Sequence, residues 1–236
     1  MHPRKAGGGV DYARAVPCRA AGCLLERVSV YRSGEPFARA QGVTAPQQTF
    51  ETFEPVAGTG EALKYARDIA EGTSQFIWLL IYGGVGNGKT HLCNAIARRA
   101  LGRGVDVRIK AVAELFSELR SSFDTHGSEG VMEGLKRTFL LVLDDLGVEY
   151  GSDWEKAKFD ELMTARFANA RPTVLTTNRD LNELPPRIRS RFEDRGLSRM
   201  AHNSAGDYRK TKRGGLRPAR GSGSLKEEPC RSQWKS

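Results

Sequence analysis

The stretch FIWLLIYGGVGNGKT, residues 76–90, decides the fold of this chain. Its first seven residues are apolar and rich in aromatic and β-branched side chains, which is typical of a buried strand. The last eight match the pattern G-x-x-x-x-G-K-[ST] at every fixed position. Leu92, Ala95, Ile96 and Arg99 then recur at helical spacing. The sequence therefore predicts a strand, a glycine loop and a helix in immediate succession.

This succession suits a phosphate-binding loop. Glycines let backbone N–H groups turn towards a phosphate, and the helix N-terminus adds the positive end of its dipole. Lys89, on an exposed turn, is expected to reach the β- and γ-phosphates of a nucleotide, and the Thr90 hydroxyl is expected to bind Mg²⁺. The alternative is a chance glycine turn, which the complete motif argues against. The residues predicted to hold the nucleotide are Gly83, Gly84, Val85, Gly86, Asn87, Gly88, Lys89, Thr90 and His91.

Composition limits the class of protein. A chain of 236 residues with 39% hydrophobic and 28% charged residues suits a globular protein with one substantial core. No apolar run is long enough to cross a bilayer, and the N-terminus lacks the apolar segment of a secretory signal. The four scattered cysteines are interpreted as reduced thiols. We therefore expect a cytoplasmic protein with no membrane partner.

Three regions differ in pattern. Residues 1–47 form a weakly patterned leader, a possible partner-docking segment. Its Cys18 and Cys23 could give zinc two thiolates, but a structural site needs four ligands, so free thiols are preferred. Residues 48–209 carry the regular pattern of a folded domain. Residues 210–236 form a basic Gly- and Ser-rich tail that holds most of the net charge of +9. The tail is predicted to be disordered, and whether it binds DNA is left open.

Helical and strand patterns alternate through the folded domain. Strands are predicted at 76–82, 105–109, 139–143, 172–178 and 197–201. Helices are predicted at 61–71, 91–100, 112–119, 131–137, from a capping box at Ser152 to about 170, and after Pro185-Pro186. Strands that alternate with helices over short connections predict an α/β fold, a five-stranded parallel sheet with helices on both faces.

Two of these strands end in polar residues. Asp144 and Asp145 follow the apolar run at 139–143, 55 residues after Lys89. The C-terminal edge of a buried parallel strand lies beside a bound phosphate, so Asp144 is expected on the Mg²⁺ side and Asp145 is expected to polarise the attacking water. Asn178 ends the strand at 172–178 and could orient that water or contact the γ-phosphate. The alternative is a strand end capped by turn-forming residues.

Four segments together resemble the replicative helicase loaders of the DnaC/DnaI type, AAA+ ATPases of the initiator group. The segments are GGVGNGKTHL at 83–92, LVLDDLG at 141–147, PTVLTTNR at 172–179 and RSRFED at 189–194. The resemblance covers about residues 48–209. It implies an ATPase that converts ATP to ADP and phosphate with Mg²⁺, and a sheet with the phosphate-loop strand in the middle. It also implies oligomers with ATP at subunit interfaces, single-stranded DNA binding, and delivery of a replicative DNA helicase.

The resemblance assigns roles by position. Asp144 and Asp145 match the Walker B acids, Asn178 the first sensor, Arg191 the arginine finger and Arg209 the second sensor. The family's DNA-facing region maps to residues 110–123. Candidate DNA contacts there are Lys110, Ser117 and Arg120, whereas Phe116 lies on an apolar stripe and is assigned to the core.

The helix that carries Arg191 is expected to act on a neighbouring subunit. Arg187 and Arg191 are four residues apart and so project together, beside the face that Ile188 and Phe192 pin to the core. This face is expected to meet the next subunit's nucleotide. The alternative is a set of solvated arginines that pair with nearby acids.

The chain departs from the loader pattern at both ends. About 47 residues and a single Cys pair stand where loaders usually carry a helicase-binding domain, and the C-terminal lid is minimal. Two other functions share the core: a transposition accessory ATPase of the IstB type, acting on duplex DNA, and a non-hydrolysing, nucleotide-dependent protein adaptor. A small-molecule kinase is disfavoured, because the segments around Asn178 and Arg191 have no evident use in one.

Overall fold

The computed structural model describes residues 47–122, 128–147 and 152–208. The leader with Cys18 and Cys23, the second-sensor candidate Arg209 and the basic tail lie outside the described residues. Within these ranges, no helix combines the length and the apolar character needed to span a bilayer.

The predicted elements all occur, with small shifts at their ends. The helices are α1 Gly60–Glu71, α2 Lys89–Gly102, α3 Val112–Ser121, α4 Ser128–Arg137, α5 Asp153–Ala168 and α6 Pro186–Glu193. The strands are β1 Trp78–Tyr82, β2 Val107–Ala111, β3 Leu140–Asp144, β4 Thr173–Thr177 and β5 Ser198–His202. A single 3₁₀ turn, Leu181–Glu183, precedes α6.

The five strands form one parallel sheet in the order β2-β3-β4-β1-β5. This confirms the predicted five-stranded parallel sheet. The strand before the glycine loop, β1, is an interior strand, but β4 holds the middle position, so that detail of the expectation was wrong. Because all strands run the same way, the C-terminal ends of β1, β3 and β4 meet at one edge, and this edge gathers the polar residues identified above.

Helices cover both faces of the sheet, as predicted. Leu79 and Ile81 of β1 pack with α1 and α2, whereas Trp78 and Leu80 face the side covered by α3 to α6. Alternation of side chains along a strand buries both sets, so β1 is apolar throughout. Phe116 is 3% exposed on the second face, which confirms its assignment to the core.

Local signals fix two of the helix starts. Ser152 Oγ accepts the Glu155 N–H and the Glu155 carboxylate accepts the Ser152 N–H, which confirms the predicted capping box of α5. At α6, Pro186 occupies the first turn, where a helix needs no N–H donor and the fixed φ of proline suits the geometry.

Arg166 of α5 is a fully buried charged residue that joins several elements. Its guanidinium donates to the carbonyls of Leu135, Thr138, Phe139 and Pro172 over 2.6–3.1 Å, and to Thr173 Oγ1 at 3.0 Å. Burial lowers the pKa of Arg166 to about 9, so it remains charged at neutral pH. The residue therefore ties the end of α4 and the starts of β3 and β4 to α5.

Candidate functional site

The glycine loop connects β1 to α2 at the C-terminal edge of the sheet. Gly83 has φ +143° and Gly88 has φ +94°, values that side-chain-bearing residues rarely adopt. A Cβ atom at Gly83 would also lie 2.1 Å from the Asn203 carbonyl oxygen, and one at Gly88 would lie 2.9 Å from the Phe53 ring. Both glycines are therefore required by backbone angle and by space.

Lys89 is folded back onto the loop. Its Nζ donates to the carbonyls of Gly83 at 2.9 Å and Gly84 at 2.7 Å, and to Asn87 Oδ1 at 3.0 Å. Gly84 and Val85 of the turn are exposed as expected, but Lys89 itself is buried, at 6% exposure. Burial lowers the pKa of Lys89, and the carboxylates of Asp144 and Asp145 partly oppose that shift. The loop thus already holds a cation surrounded by oxygen acceptors.

A buried amide pair anchors the loop to the segment after β5. Asn87 Nδ2 donates to the Asn203 carbonyl at 2.7 Å, and Asn203 Nδ2 donates to the Asn87 carbonyl at 2.9 Å. Both residues are at most 3% exposed. Because Asn87 also accepts from Lys89, this pair fixes the loop shape that holds the lysine. Sequence reasoning missed Asn203, whose partner is 116 residues away.

The first acid, Asp144, ends β3 beside the loop. Its Oδ1 accepts from the Thr176 hydroxyl at 2.5 Å and from the Cys93 thiol at 3.5 Å. Burial raises the pKa of Cys93 well above its usual value, and the nearby Asp144 charge raises it further. The thiol is therefore protonated at neutral pH and acts as a donor.

The second acid, Asp145, lies in an exposed turn against the end of β4. It adopts φ +58°, in the left-handed region, and its N–H donates to Thr176 Oγ1 at 2.9 Å. Asn178 Nδ2 donates to Asp145 Oδ1 at 2.8 Å. The two residues predicted to act on water are therefore in direct contact.

These groups line one cavity of about 900 Å³. The glycine loop, both acids and Asn178 line the cavity, and the segment at 47–56, before α1, forms one of its walls. His91 joins that wall, since its Nε2 donates to the Thr49 carbonyl at 2.8 Å and its ring meets Phe53 edge-on at 5.1 Å. The predicted site residues that line the cavity are Val85, Gly86, Asn87, Gly88, Lys89, Thr90, His91, Asp144, Asp145 and Asn178.

The oxygen donors of this cavity suit Mg²⁺. The Thr90 hydroxyl and the Asp144 carboxylate are the hard ligands that Mg²⁺ prefers, and one or two protein ligands suffice because the ion retains waters. Within the described ranges, no group of three or more His, Cys, Asp or Glu residues could hold a metal by itself. A metal here would therefore depend on the phosphates of a bound nucleotide for further ligands.

Arg191 lies outside the cavity. Its Nη1 donates to Asp160 Oδ1 of α5 at 3.0 Å, and its Nη2 donates to Thr164 Oγ1. Arg187 contacts the other oxygen of Asp160 at 2.9 Å, so the two arginines share one face as predicted. Partial burial opposes ionisation of Asp160, but the hydrogen bonds from both arginines outweigh it and lower the pKa of its carboxyl.

The three candidate DNA contacts lie on β2 and α3. Lys110 Nζ is 2.6 Å from Glu118 Oε2 and Arg120 pairs with the buried Glu155, so neither cation is uncompensated. Ser117 is exposed. The charge that sequence reasoning assigned to DNA is thus already balanced within the protein.

The fold and the site together define a P-loop NTPase of the AAA+ class. A glycine loop of the G-x-x-x-x-G-K-[ST] pattern follows one interior strand, two acids lie at the end of another, and a polar residue follows the strand between them. The family model described as "Bacterial DnaA ATPAse domain" matches residues 45–199. The chain belongs to this family.

The known proteins that this chain is similar to include helicase loaders of the predicted DnaC/DnaI type. The replicative helicase loader DnaC of Escherichia coli K12 is 33% identical over an alignment of 151 positions, which covers 62% of this chain and 62% of DnaC. This chain thus covers less than two thirds of that relative. A crystal structure of DnaI has a TM-score of 0.54 at 26% identity, and the match covers 67% of this chain and 89% of the solved chain. A structure of DnaA bound to AMPPCP and single-stranded DNA has a TM-score of 0.63 at 22% identity, covering 75% and 58%, and so supports the fold. The resemblance to DnaC-type AAA+ loaders is confirmed.

Proposed function

We propose that this protein binds ATP with Mg²⁺, hydrolyses it to ADP and phosphate, and uses the cycle to load a replicative DNA helicase onto single-stranded DNA. The observation that carries the proposal is the convergence of Lys89, Thr90, Asp144, Asp145 and Asn178 on one cavity. A loader, DnaC, is among the relatives, and a DnaA of the same fold was solved with AMPPCP and single-stranded DNA.

Each residue of the cavity has a distinct task in this proposal. Lys89 supplies the positive charge that draws phosphates to the loop, while Thr90 and Asp144 would hold Mg²⁺. Mg²⁺, when bound, would neutralise charge that develops on the phosphates. Asp145 would accept a hydrogen bond from the attacking water, and Asn178, already bonded to Asp145, would fix that carboxylate and the water together.

The proposed oligomer places Arg191 at the nucleotide of the next subunit. Arg191 now contacts Asp160, whereas Arg187 is 80% exposed from the same face. Because both arginines share one carboxylate, Arg187 can keep Asp160 paired if Arg191 turns outward. This arrangement favours a finger that is stored within its own protomer and released at an interface. Arg209 remains the proposed second sensor.

The DNA-binding part of the proposal rests on the family resemblance, because the cations among the candidate DNA contacts already have acidic partners. Lys110 and Arg120 are ion-paired and Ser117 is exposed, so single-stranded DNA would have to compete with Glu118 and Glu155 for these cations. Competition of this kind predicts weak, salt-sensitive binding.

The experiment is phosphate release by the full chain with no DNA, with single-stranded DNA and with duplex DNA of matched sequence. A loader is expected to respond to single-stranded DNA. Stimulation by the duplex alone would favour the IstB-type function, and phosphate release that is absent in all three conditions would favour a non-hydrolysing adaptor. A pull-down from the native host, scored for a hexameric helicase, tests the partner.

A further inference from the structure

We propose that Thr176 is a positioning residue whose one side-chain hydroxyl fixes the positions of both Asp144 and Asp145. It orients the Asp144 carboxylate towards Mg²⁺ and holds the turn that presents Asp145 to the cavity. This inference rests on the proposed function of the cavity as a site for nucleotide with Mg²⁺.

Two of the groups that the Thr176 hydroxyl contacts have fixed hydrogen-bonding directions. Its Oγ1 is 2.5 Å from Asp144 Oδ1 and 2.9 Å from the Asp145 backbone nitrogen. An ionised carboxylate can only accept and an N–H can only donate, so the hydroxyl must donate to the first and accept from the second. A hydroxyl can do both at once, and Thr176 is fully buried, so water does not replace either bond. Thr176 therefore links the two acids directly.

The bond to Asp145 supports an unusual backbone conformation. Asp145 has φ +58°, which residues with a Cβ adopt rarely and which the surrounding structure must hold. The adjoining residue is also fixed to β4, since Leu146 N–H donates to the Thr176 carbonyl at 2.8 Å and the Thr177 hydroxyl donates to the Leu146 carbonyl at 2.6 Å. The turn at 145–146 is thus bonded to consecutive residues of β4.

The bond to Asp144 leaves one carboxylate oxygen available. Oδ1 of Asp144 accepts from Thr176 and from Cys93, and in the described part of the chain Oδ2 accepts no hydrogen bond. A carboxylate with one oxygen anchored and the other directed to a metal is a common arrangement at metal sites, where the outer partner tunes affinity. Loss of the Thr176 hydroxyl should therefore weaken Mg²⁺ binding without touching the phosphate loop.

Thr177 provides a matched control on the same strand. It is fully buried like Thr176, donates to the Leu146 carbonyl at 2.6 Å and accepts from Arg179 N–H at 3.0 Å. Its hydroxyl contacts neither acid. Thr177→Val thus removes the same chemical group from the neighbouring position, whereas Thr176→Ser retains the hydroxyl at the proposed position.

The experiment is a Mg²⁺ titration of the binding of a fluorescent ATP analogue to the full chain, with binding in excess EDTA as the reference. For Thr176→Val we expect the Mg²⁺ midpoint to rise about tenfold, the lower end of the 10–100-fold typical of such outer partners, because the Cys93 thiol still donates to Asp144 Oδ1. Thr176→Ser and Thr177→Val should stay within about twofold of the parent protein, and binding in EDTA should be the same for all.

Two outcomes would overturn the inference. One is a parent-like midpoint for Thr176→Val in a protein that melts as the parent does, and the other is an equal shift in Thr177→Val. If Thr176→Val does not fold, Thr176→Cys replaces it, since a thiol is a weaker donor and acceptor of similar size; an unshifted midpoint there would also overturn the inference. A parent protein whose nucleotide binding ignores Mg²⁺ would instead contradict the proposed function itself.

Discussion

Replacement of Arg166 by methionine tests the structural account of the core. The change removes five hydrogen bonds, each worth about 1.5–3 kcal/mol because the donor is charged. Methionine is similar in length and flexible, so it should fill most of the space. Relief of the buried charge offsets part of the loss, whereas the carbonyls of Leu135 and Thr138 lose the donor they share. The expected net loss is about 3–5 kcal/mol.

Thermal and urea unfolding measure this loss of stability. Nucleotide is left out, because a bound ligand stabilises the folded state and would mask the difference. For a domain of this size the loss corresponds to a melting temperature lower by about 10 °C. Lys158→Met, on the half-exposed surface of the same helix, is the control and should cost less than about 1 kcal/mol. Arg166→Lys, with three donors, should fall between the two. A melting temperature for Arg166→Met within about 2 °C of the parent would contradict a net stabilising role of Arg166, because burial of the charge would then cost as much as its hydrogen bonds contribute.

Two further predictions concern the site. Asp145→Asn should keep nucleotide binding and lose most phosphate release, because an amide cannot accept a proton as a carboxylate does; unchanged turnover would assign water activation to another acid. Arg191→Ala and Lys89→Ala proteins should each be nearly inactive but recover some activity when mixed, since a mixed interface has one intact loop and one intact finger. Absence of recovery across mixing ratios, with assembly verified by light scattering, would exclude a finger in trans.

Those parts of the fold that depend on local pattern could be predicted from the sequence. The glycine loop is a short motif whose glycines are required by its own backbone, as the angles at Gly83 and Gly88 bear out. Alternation of strands and helices was sufficient to predict a parallel sheet. Strand order was not available in the same way, because the pattern does not say where each crossover returns. The family resemblance implied that β1 lies in the middle, a position that β4 holds.

The features that sequence reasoning missed depend on contacts that no motif or spacing specifies. The register that pairs Leu143 with Leu175 brings the end of β3 beside Thr176, and no spacing reveals that pairing. Burial of Lys89 depends on carbonyls of its own loop, which a motif does not specify. For Arg166 a signal did exist: it falls on the apolar face of α5, seven residues after Phe159, and a charge at such a position indicates a buried polar network.

Calorimetry of ATP binding with Mg²⁺ to the parent protein and to Lys89→Ala shows whether residues 83–90 bind the phosphates of a nucleotide. Lys64→Ala, which removes an exposed ammonium from α1, is the control. Charge-assisted hydrogen bonds to phosphate are worth about 1.5–3 kcal/mol each, so loss of Lys89 should weaken binding about 100-fold or more while the protein stays folded. We expect tight binding by the parent and Lys64→Ala proteins and a near loss of binding by Lys89→Ala. Equal affinity in all three proteins would contradict the assignment of residues 83–90 as the phosphate-binding loop.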